Sequence, residues 1–198
     1  MMQMIDVYDF DRTIFKHDCY TEYFKYVCQN YHRWMYILVI FPIIGLILMA
    51  LMPWDVRFGK TITFIPIRIM FKPERVEAFW KEMDRRGWIA PWFRPAENDV
   101  PVVICTSSPR FLVEPLLTGI RQVYGLLATE MDPRTLRFTG RNNRGAEKAR
   151  RILAEFPGVQ VRIVGSDSIR HDGPILRLAQ KPTLVRDFER SDIDPKEL

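Results

Sequence analysis

Short apolar runs alternate along the chain with longer stretches of helical period, and their order predicts most of the elements. Met4-Ile5-Asp6-Val7-Tyr8 is brief and mostly apolar, as a buried strand is. Residues 16–33 carry Tyr20, Tyr23, Phe24, Tyr26 and Tyr31 and read as a helix. From Trp34 to Trp54 no charged residue occurs. A helix of that length measures ~31 Å, close to the ~30 Å hydrocarbon core of a bilayer. Trp34 and Trp54 stand at its ends, where interfacial tryptophans belong. His32 and Arg33 flank one end, Asp55 and Arg57 the other. Pro42 and Gly45 predict two short helices here rather than one rod. A second apolar run, residues 61–71, is too short to span and carries Arg68.

Residues 73–86 are amphipathic. Pro73 suits the first turn, Val76, Phe79, Trp80 and Met83 share a face, and Gly87 suits the C-terminal cap. Pro91 and Pro95 mark residues 88–99 as a loop. Val100–Cys105 reads as a buried strand, with Pro101 confined to its start. Ser108 as N-cap and Pro109 at the first position then open a helix, which Pro115 bends or ends. Residues 126–141 suggest a strand, the turn Asp132-Pro133-Arg134, and a second strand at Leu136–Thr139. A basic helix over 145–155, a buried strand Val159–Val164, an acidic loop Gly165–Gly173, a short helix Pro174–Ala179 and a last strand Thr183–Val185 complete the chain. Such alternation predicts an α/β fold, a Rossmann-like parallel sheet. Residues 1–15 and 93–198 form its core. Residues 16–92 form a helical, apolar cap inserted after the first strand.

Composition narrows the chemistry. With 198 residues, 47% apolar and 27% charged, the chain is globular rather than disordered. A net charge of +5 favours anionic partners. Cys19, Cys28 and Cys105 have neither metal spacing nor a disulfide framework, which points to a reducing compartment. The first residues lead straight into a strand, so no cleavable signal peptide is expected.

Asp9 and Asp11 leave the first strand two residues apart. Buried carboxylates without partners cost several kcal/mol, so such a pair serves a cation or a reaction unless it is merely a solvated turn. Other chemistry gathers where strands end: Thr13, Thr106, Lys148, Asp167 and Asp172. Open α/β sheets bind ligands at that edge.

Four segments carry a resemblance. They are Asp9-Phe10-Asp11-Arg12-Thr13, Thr106 closing Val102-Val103-Ile104-Cys105, Lys148 in Gly145-Ala146-Glu147-Lys148, and the acidic loop from Gly165 to Asp172. In order and type they resemble the haloacid dehalogenase (HAD) superfamily. Thr106-Ser107-Ser108-Pro109, and Asp167-Ser168 followed by Pro174 and Leu176, resemble its phosphoserine-phosphatase-like branch, subfamily IB. The apolar cap resembles that of the phosphatidylglycerophosphatase C family. The resemblance implies a phosphatase with Asp9 as nucleophile and Asp11 as general acid and base. It implies Mg²⁺ on Asp9, Asp167 and the Asp11 backbone carbonyl, with Asp172 as the other candidate ligand. It assigns the phosphoryl oxygens to Thr106, Ser107 and Lys148. Arg12 stands where many members have Gly, which predicts an ordinary backbone φ. Asp18 falls where phosphoserine phosphatases carry an acidic substrate-binding residue, and it equally suits a helix N-cap.

The expected substrate is a phosphorylated small molecule or a lipid phosphate, and no nucleic acid partner is expected. The competing readings are a soluble phosphoserine-like phosphatase and a non-catalytic membrane-associated module. The basic residues Arg134, Arg137, Arg141, Arg144, Arg150 and Arg151 suit anionic lipid, or more plainly a solvated face. Asp9 and Asp11 precede the apolar stretch, whereas Thr106, Lys148 and Asp167 follow it. One membrane crossing would therefore divide the site between two sides of the bilayer. The expectation is a cap over 34–71, broken near Pro42 and dipping into one leaflet, with the core on the cytoplasmic side. The alternative is a buried cap on a soluble cytoplasmic enzyme.

Overall fold

The structure, a computed structural model, describes residues 4–52, 54, 56–95, 100–120 and 123–198. Asp55, one of the charged flanks named above, lies outside them. The central strand is β1 (Met4–Tyr8). It pairs in parallel with β2 (Val102–Pro109) and β4 (Gln160–Ser166), Asp6 lying opposite both Val102 and Ile163. With β3 (Gly125–Thr129), β5 (Lys181–Arg186) and β6 (Glu189–Asp192) the sheet order is β3-β2-β1-β4-β5-β6. Of these strands, β6 alone runs antiparallel to its neighbour.

Both faces of the inner strands are covered, which is why β1 and β2 read as nearly unbroken apolar runs. Ile5, Val7, Val103 and Cys105 meet Ile152 of α7 (Ala146–Glu155) and Ile175 and Leu176 of α8 (Ile169–Leu176). Tyr8, Val102 and Ile104 belong to the other face, packed with Leu112 and Leu116 of α6 (Arg110–Ile120) and with the cap. Asp6, buried in mid-strand, is neutralised by a two-pronged Arg162 contact at 2.9 and 2.6 Å. From β1 the chain builds outward to β2 and β3, then returns to β4 on β1's other side. The crevice at the carboxyl ends of β1 and β4 is thus the switch point where open α/β sheets bind ligands.

The cap begins with α1 (Cys19–Asn30), whose N-cap is Asp18, accepting the Thr21 N–H at 2.8 Å. A 3-10 segment (Arg33–Val39) runs into α2 (Ile40–Leu51), and α3 (Val56–Thr63), α4 (Ile67–Met70) and α5 (Pro73–Arg85) follow. As predicted, α5 buries Val76, Phe79, Trp80 and Met83, and Gly87 follows it with φ of 69°. Trp80 ties the cap to the core by donating to the Leu112 carbonyl at 2.6 Å.

The helices α2 and α3 form a hairpin joined closely enough to require glycine on both sides. A Cβ on Gly45 would sit 2.6 Å from the Gly59 carbonyl oxygen, and one on Gly59 2.8 Å from that of Gly45. Residues Arg33–Leu51 are long and apolar enough to cross a membrane by length and composition, yet little of the segment is buried. Ile37, Ile43, Leu46, Ile47 and Leu51 are all exposed, as are Trp34 and Trp54.

Several boundaries differ from the sequence reading. Helix α2 does not break at Pro42. The change from 3-10 to α geometry at Ile40 puts Pro42 in the first α turn, where a missing N–H is tolerated. Helix α6 continues through Pro115 to Ile120 because Leu112, Val113, Leu116 and Leu117 hold both halves against the core. Strand β2 extends to Pro109, so Ser108 caps nothing. The second strand after Asp132 is a single bridge, Met131 to Phe138. The acidic loop is shorter than expected: Ser168 caps α8 by accepting the His171 N–H at 3.3 Å, and Asp172 and Pro174 lie inside that helix.

Candidate active site

The crevice brings Asp9, Lys148 and Asp172 into direct contact and holds Asp11 on partners of its own. The Asp9 N–H donates to the Gly165 carbonyl at 2.9 Å, which ties the end of β1 to the end of β4. One Asp9 carboxylate oxygen lies 3.0 Å from Lys148 Nζ. The same ammonium donates to Asp172 Oδ2 at 2.9 Å, and Ser166 Oγ donates to that oxygen at 2.7 Å. Lys148 and Asp172 are almost fully buried. Burial alone would push the Lys148 ammonium down, but Asp9 and Asp172 outweigh it and hold Lys148 charged.

Asp11 is held separately. Its Oδ1 accepts the Cys19 N–H at 2.8 Å, at the start of α1. Its Oδ2 accepts the Ser108 hydroxyl, so Ser108 serves the carboxylate instead of capping α6. Burial, then the Asp18 charge, push Asp11 up to about 6, against the pull of Ser108. Burial pushes Asp9 up to about 7; Lys148 opposes this, and Asp172 and Asp11 add to it. Thr106 is fully buried, and its Oγ1 accepts the Ser108 N–H at 3.1 Å. Thr13 is also fully buried, and its hydroxyl has no partner among the described residues.

The turn after Asp11 departs from expectation. Arg12 has φ of 57°, in the left-handed region, not the ordinary region inferred from its side chain. The loop keeps the backbone a glycine would favour, and the arginine bears the strain. Burial, and then Asp172, raise Asp167, and the Arg12 charge opposes them.

Three further residues gave no sequence signal strong enough to single out. Asn143 is buried and donates to the Leu127 and Thr106 carbonyls at 2.6 and 3.0 Å, fixing β2 where Thr106 emerges. Asn142 and Lys60 meet at 2.7 Å, and Lys60 also donates to the Ser107 carbonyl at 3.0 Å. Lys60 comes from α3, in the cap. Asp18 remains an N-cap whose charge is felt by Asp11 and Lys60.

The site fits a divalent cation on charge. Asp9, Asp172 and Asp167 surround one buried Lys148, with Asp11 beside Asp9; burial first, and then neighbouring carboxylates, raise both Asp9 and Asp11. Among the described residues no three His, Cys, Asp or Glu side chains form a ready cage. Mg²⁺ needs none, since it keeps several waters and takes one or two carboxylates. Asp172 is engaged by Lys148 and Ser166, whereas Asp167 forms no ion pair among the described residues. Asp9 pairs with Lys148 through one oxygen, and it and Asp167 are the carboxylates that would hold a cation.

Residues 7–177 match the family described as haloacid dehalogenase-like hydrolase. The chain belongs to that family. The match runs from β1 through α8, so all four motif segments of this HAD hydrolase fall inside it. By family it is a HAD-like hydrolase, and Asp9 and Asp11 both lie inside the matched region. No curated protein matches the chain. Among solved structures it is similar to a protein of unknown function from Bordetella pertussis Tohama I, with 17% identity, TM-score 0.59, and 92% and 89% of the two chains covered. A HAD family hydrolase from Salmonella enterica serovar Typhi is 13% identical, with TM-score 0.53 and 90% and 61% covered. A phosphoserine phosphatase in its apo form is 14% identical, with TM-score 0.50 and 92% and 85% covered. These likenesses establish a phosphoserine-phosphatase-like fold for this HAD hydrolase.

Proposed function

We infer that this enzyme is a Mg²⁺-dependent phosphomonoesterase that works through an aspartyl-phosphate and acts at a membrane on a lipid phosphate. The observation that carries the chemistry is the division of labour between the two aspartates. Asp9 lies against the Lys148 ammonium, which favours its ionised form. Asp11 is fixed by Ser108 and the Cys19 amide, and burial, pushing it up to about 6, lets it give and take a proton far nearer neutrality than an ordinary aspartate does. An Asp9 oxygen attacks phosphorus and the bond to the alcohol oxygen breaks. Asp11 gives that oxygen its proton. Water then passes a proton to Asp11 and attacks phosphorus, releasing inorganic phosphate and restoring Asp9. Thr106 and Ser107, at the end of β2, hold phosphoryl oxygens, and Lys148 balances their charge. Bound at Asp9, Asp167 and the Asp11 carbonyl, Mg²⁺ would supply charge neutralisation at the phosphoryl oxygens.

The lipid assignment rests on the α2–α3 hairpin, whose exposed apolar surface leaves the core and returns to it on one side. A phosphatidylglycerophosphate-like substrate agrees with that surface. The core then lies on the cytoplasmic side. The test is turnover of p-nitrophenyl phosphate and of lipid phosphates in mixed micelles, with and without Mg²⁺. Asp9→Asn should abolish turnover, and Asp11→Asn should slow it by ~10²–10⁴, the usual worth of a positioned acid or base. Metal-independent turnover or an active Asp9→Asn enzyme overturns the mechanism. Turnover of soluble esters alone overturns the lipid assignment.

A further inference from the structure

The apolar hairpin does not reach far. Its return leg, α3, has 8 residues and so measures ~12 Å, well short of a ~30 Å hydrocarbon core. A shallow apolar anchor holds a protein to a bilayer only marginally, and stable attachment takes a second signal. The residues where both legs join the rest of the cap carry one.

The two flanks of the hairpin meet around Met70. Its carbonyl accepts the Tyr23 hydroxyl of α1 at 3.0 Å and Arg75 Nη1 of α5 at 3.2 Å. The Arg75 guanidinium also lies 4.4 Å from the centre of the Tyr31 ring. Residues 31–34, which lead into the hairpin, and residues 68–75, which follow it, are thereby brought to one edge of the cap. Arg33, Arg68 and Lys72 are exposed there, and Arg75 is half-buried. Tyr31, Trp34 and Ile69 are exposed among them.

None of these four cations forms an ion pair among the described residues. Lys25, Arg85 and Arg86, elsewhere in the cap, each have a carboxylate partner. Glu74 is the acid inside the band, and it leaves the cations in excess. Cations and aromatic rings bordering an apolar surface match the head-group layer of a bilayer. Tyrosine and tryptophan settle at that depth, and each lysine or arginine there gains from anionic lipid.

We propose that Arg33, Arg68, Lys72 and Arg75 form a cationic collar that seats the hairpin on an anionic bilayer surface, responding to lipid charge and not to head-group identity. This rests on the membrane reading of the hairpin and adds the chemistry of the surface it meets. The hairpin supplies apolar insertion into one leaflet, and the collar supplies the preference between membranes.

The experiment measures flotation of full-length protein, diluted from detergent, with vesicles of phosphatidylcholine alone and with vesicles that also contain phosphatidylserine or phosphatidylglycerol. Wild type should bind both anionic preparations alike and more tightly than the neutral one, and salt should remove only that difference. Arg33→Gln, Arg68→Gln and Lys72→Gln together should lose about a hundredfold in partitioning onto anionic vesicles, from about fivefold for each charge. They should change little on phosphatidylcholine. Arg75 is kept, because its ring and carbonyl contacts hold the collar together. The control, Arg150→Gln with Lys181→Gln and Lys196→Gln, removes the same charge from elements beside the other face of the sheet and should bind as wild type does. A collar variant that binds like this control overturns the proposal. So does a wild type that prefers a single anionic head group, which would mean a head-group pocket. If the collar variant melts early, the salt titration of wild type decides: binding to anionic vesicles that salt leaves unchanged counts against the collar. Flotation with no vesicle defeats the membrane reading itself, whereas equal flotation with all three preparations defeats only the collar.

Discussion

Asp9 and Asp11 store a pH dependence that can be read without substrate. In the metal-free protein Asp9 and Asp11 hold their protons up to about 7 and about 6, against ~3.9 for an ordinary aspartate. Between about pH 4 and 7 the folded chain thus binds more protons at these groups than the unfolded chain. Their contribution to stability falls as pH rises through that window, each group by at most roughly 1.4 kcal/mol for every pH step of one. Thermal melts of metal-free wild type and Asp9→Asn should diverge with rising pH, wild type losing ground, and Mg²⁺ at pH 7.5 should narrow the gap. Parallel curves would contradict this. Arg12 gives a second prediction. Its φ of 57° is strained for any residue but glycine, so Arg12→Gly should raise the free energy of unfolding by about 0.5–1 kcal/mol, read from the urea midpoint. An unchanged or lower midpoint would mean that the side chain offsets the strain. Asp9, Asp11 and Asp167 stood out in the sequence because carboxylates follow buried strands, and Thr106 because it interrupts one; Lys148, in the first turn of α7, stood out only through the order of the motifs. The partner of Asp172 was not, because two acids five residues apart look alike until a helix turns one of them onto Lys148. Lys60 and Asn143 were hidden for a related reason: their roles exist only through contacts made across the fold.

At the scale of elements, amphipathic pattern was the most faithful guide. Helix α5 follows its apolar period and its glycine cap because nothing else competes for them. The Ser108-Pro109 helix signal failed because a carboxylate displaced the local cap: Ser108 bonds Asp11. Strand β6 was missed because Glu189, Arg190, Ser191 and Asp192 are all exposed and carry no apolar alternation. The α2–α3 hairpin was half legible. Its apolar length was plain, but its return leg was not, since Gly45 and Gly59 mark a crossing only when brought together. That crossing predicts a sharp substitution effect. Gly45→Leu places a side chain where the Gly59 carbonyl and Thr63 already stand. The helices must part, at a cost of about 1–3 kcal/mol or more. Circular dichroism melts should show the loss, and Gly119→Leu, with nothing within 4 Å of its Cβ position, is the control. A Gly45→Leu protein as stable as the control would show that the hairpin is not closed in this way.

For the whole molecule, the prediction concerns how the protein meets lipid. The hairpin's exposed apolar side should hold the enzyme on membranes, released by detergent and only partly by salt. Cysteines placed at residues 10–20 and 140–150 should react from the same side, because residues before and after the hairpin pack into one core. Protein that stays soluble and monomeric without detergent would remove the membrane from this account while leaving the phosphatase intact. The layered sheet was legible as a whole because alternation of strand and helix fixes its class; the antiparallel edge was not, being a local departure from that alternation. The position of β1 has a consequence for biosynthesis. It is a central strand and leaves the ribosome before both of its neighbours, paired at Val102 and Ile163, which are made long after it. Native contacts so distant in sequence form slowly. In the interval the nascent chain offers an unpaired strand followed by the whole apolar hairpin. A bilayer that accepts the hairpin during translation would keep those residues from self-association while the rest of the sheet is synthesised.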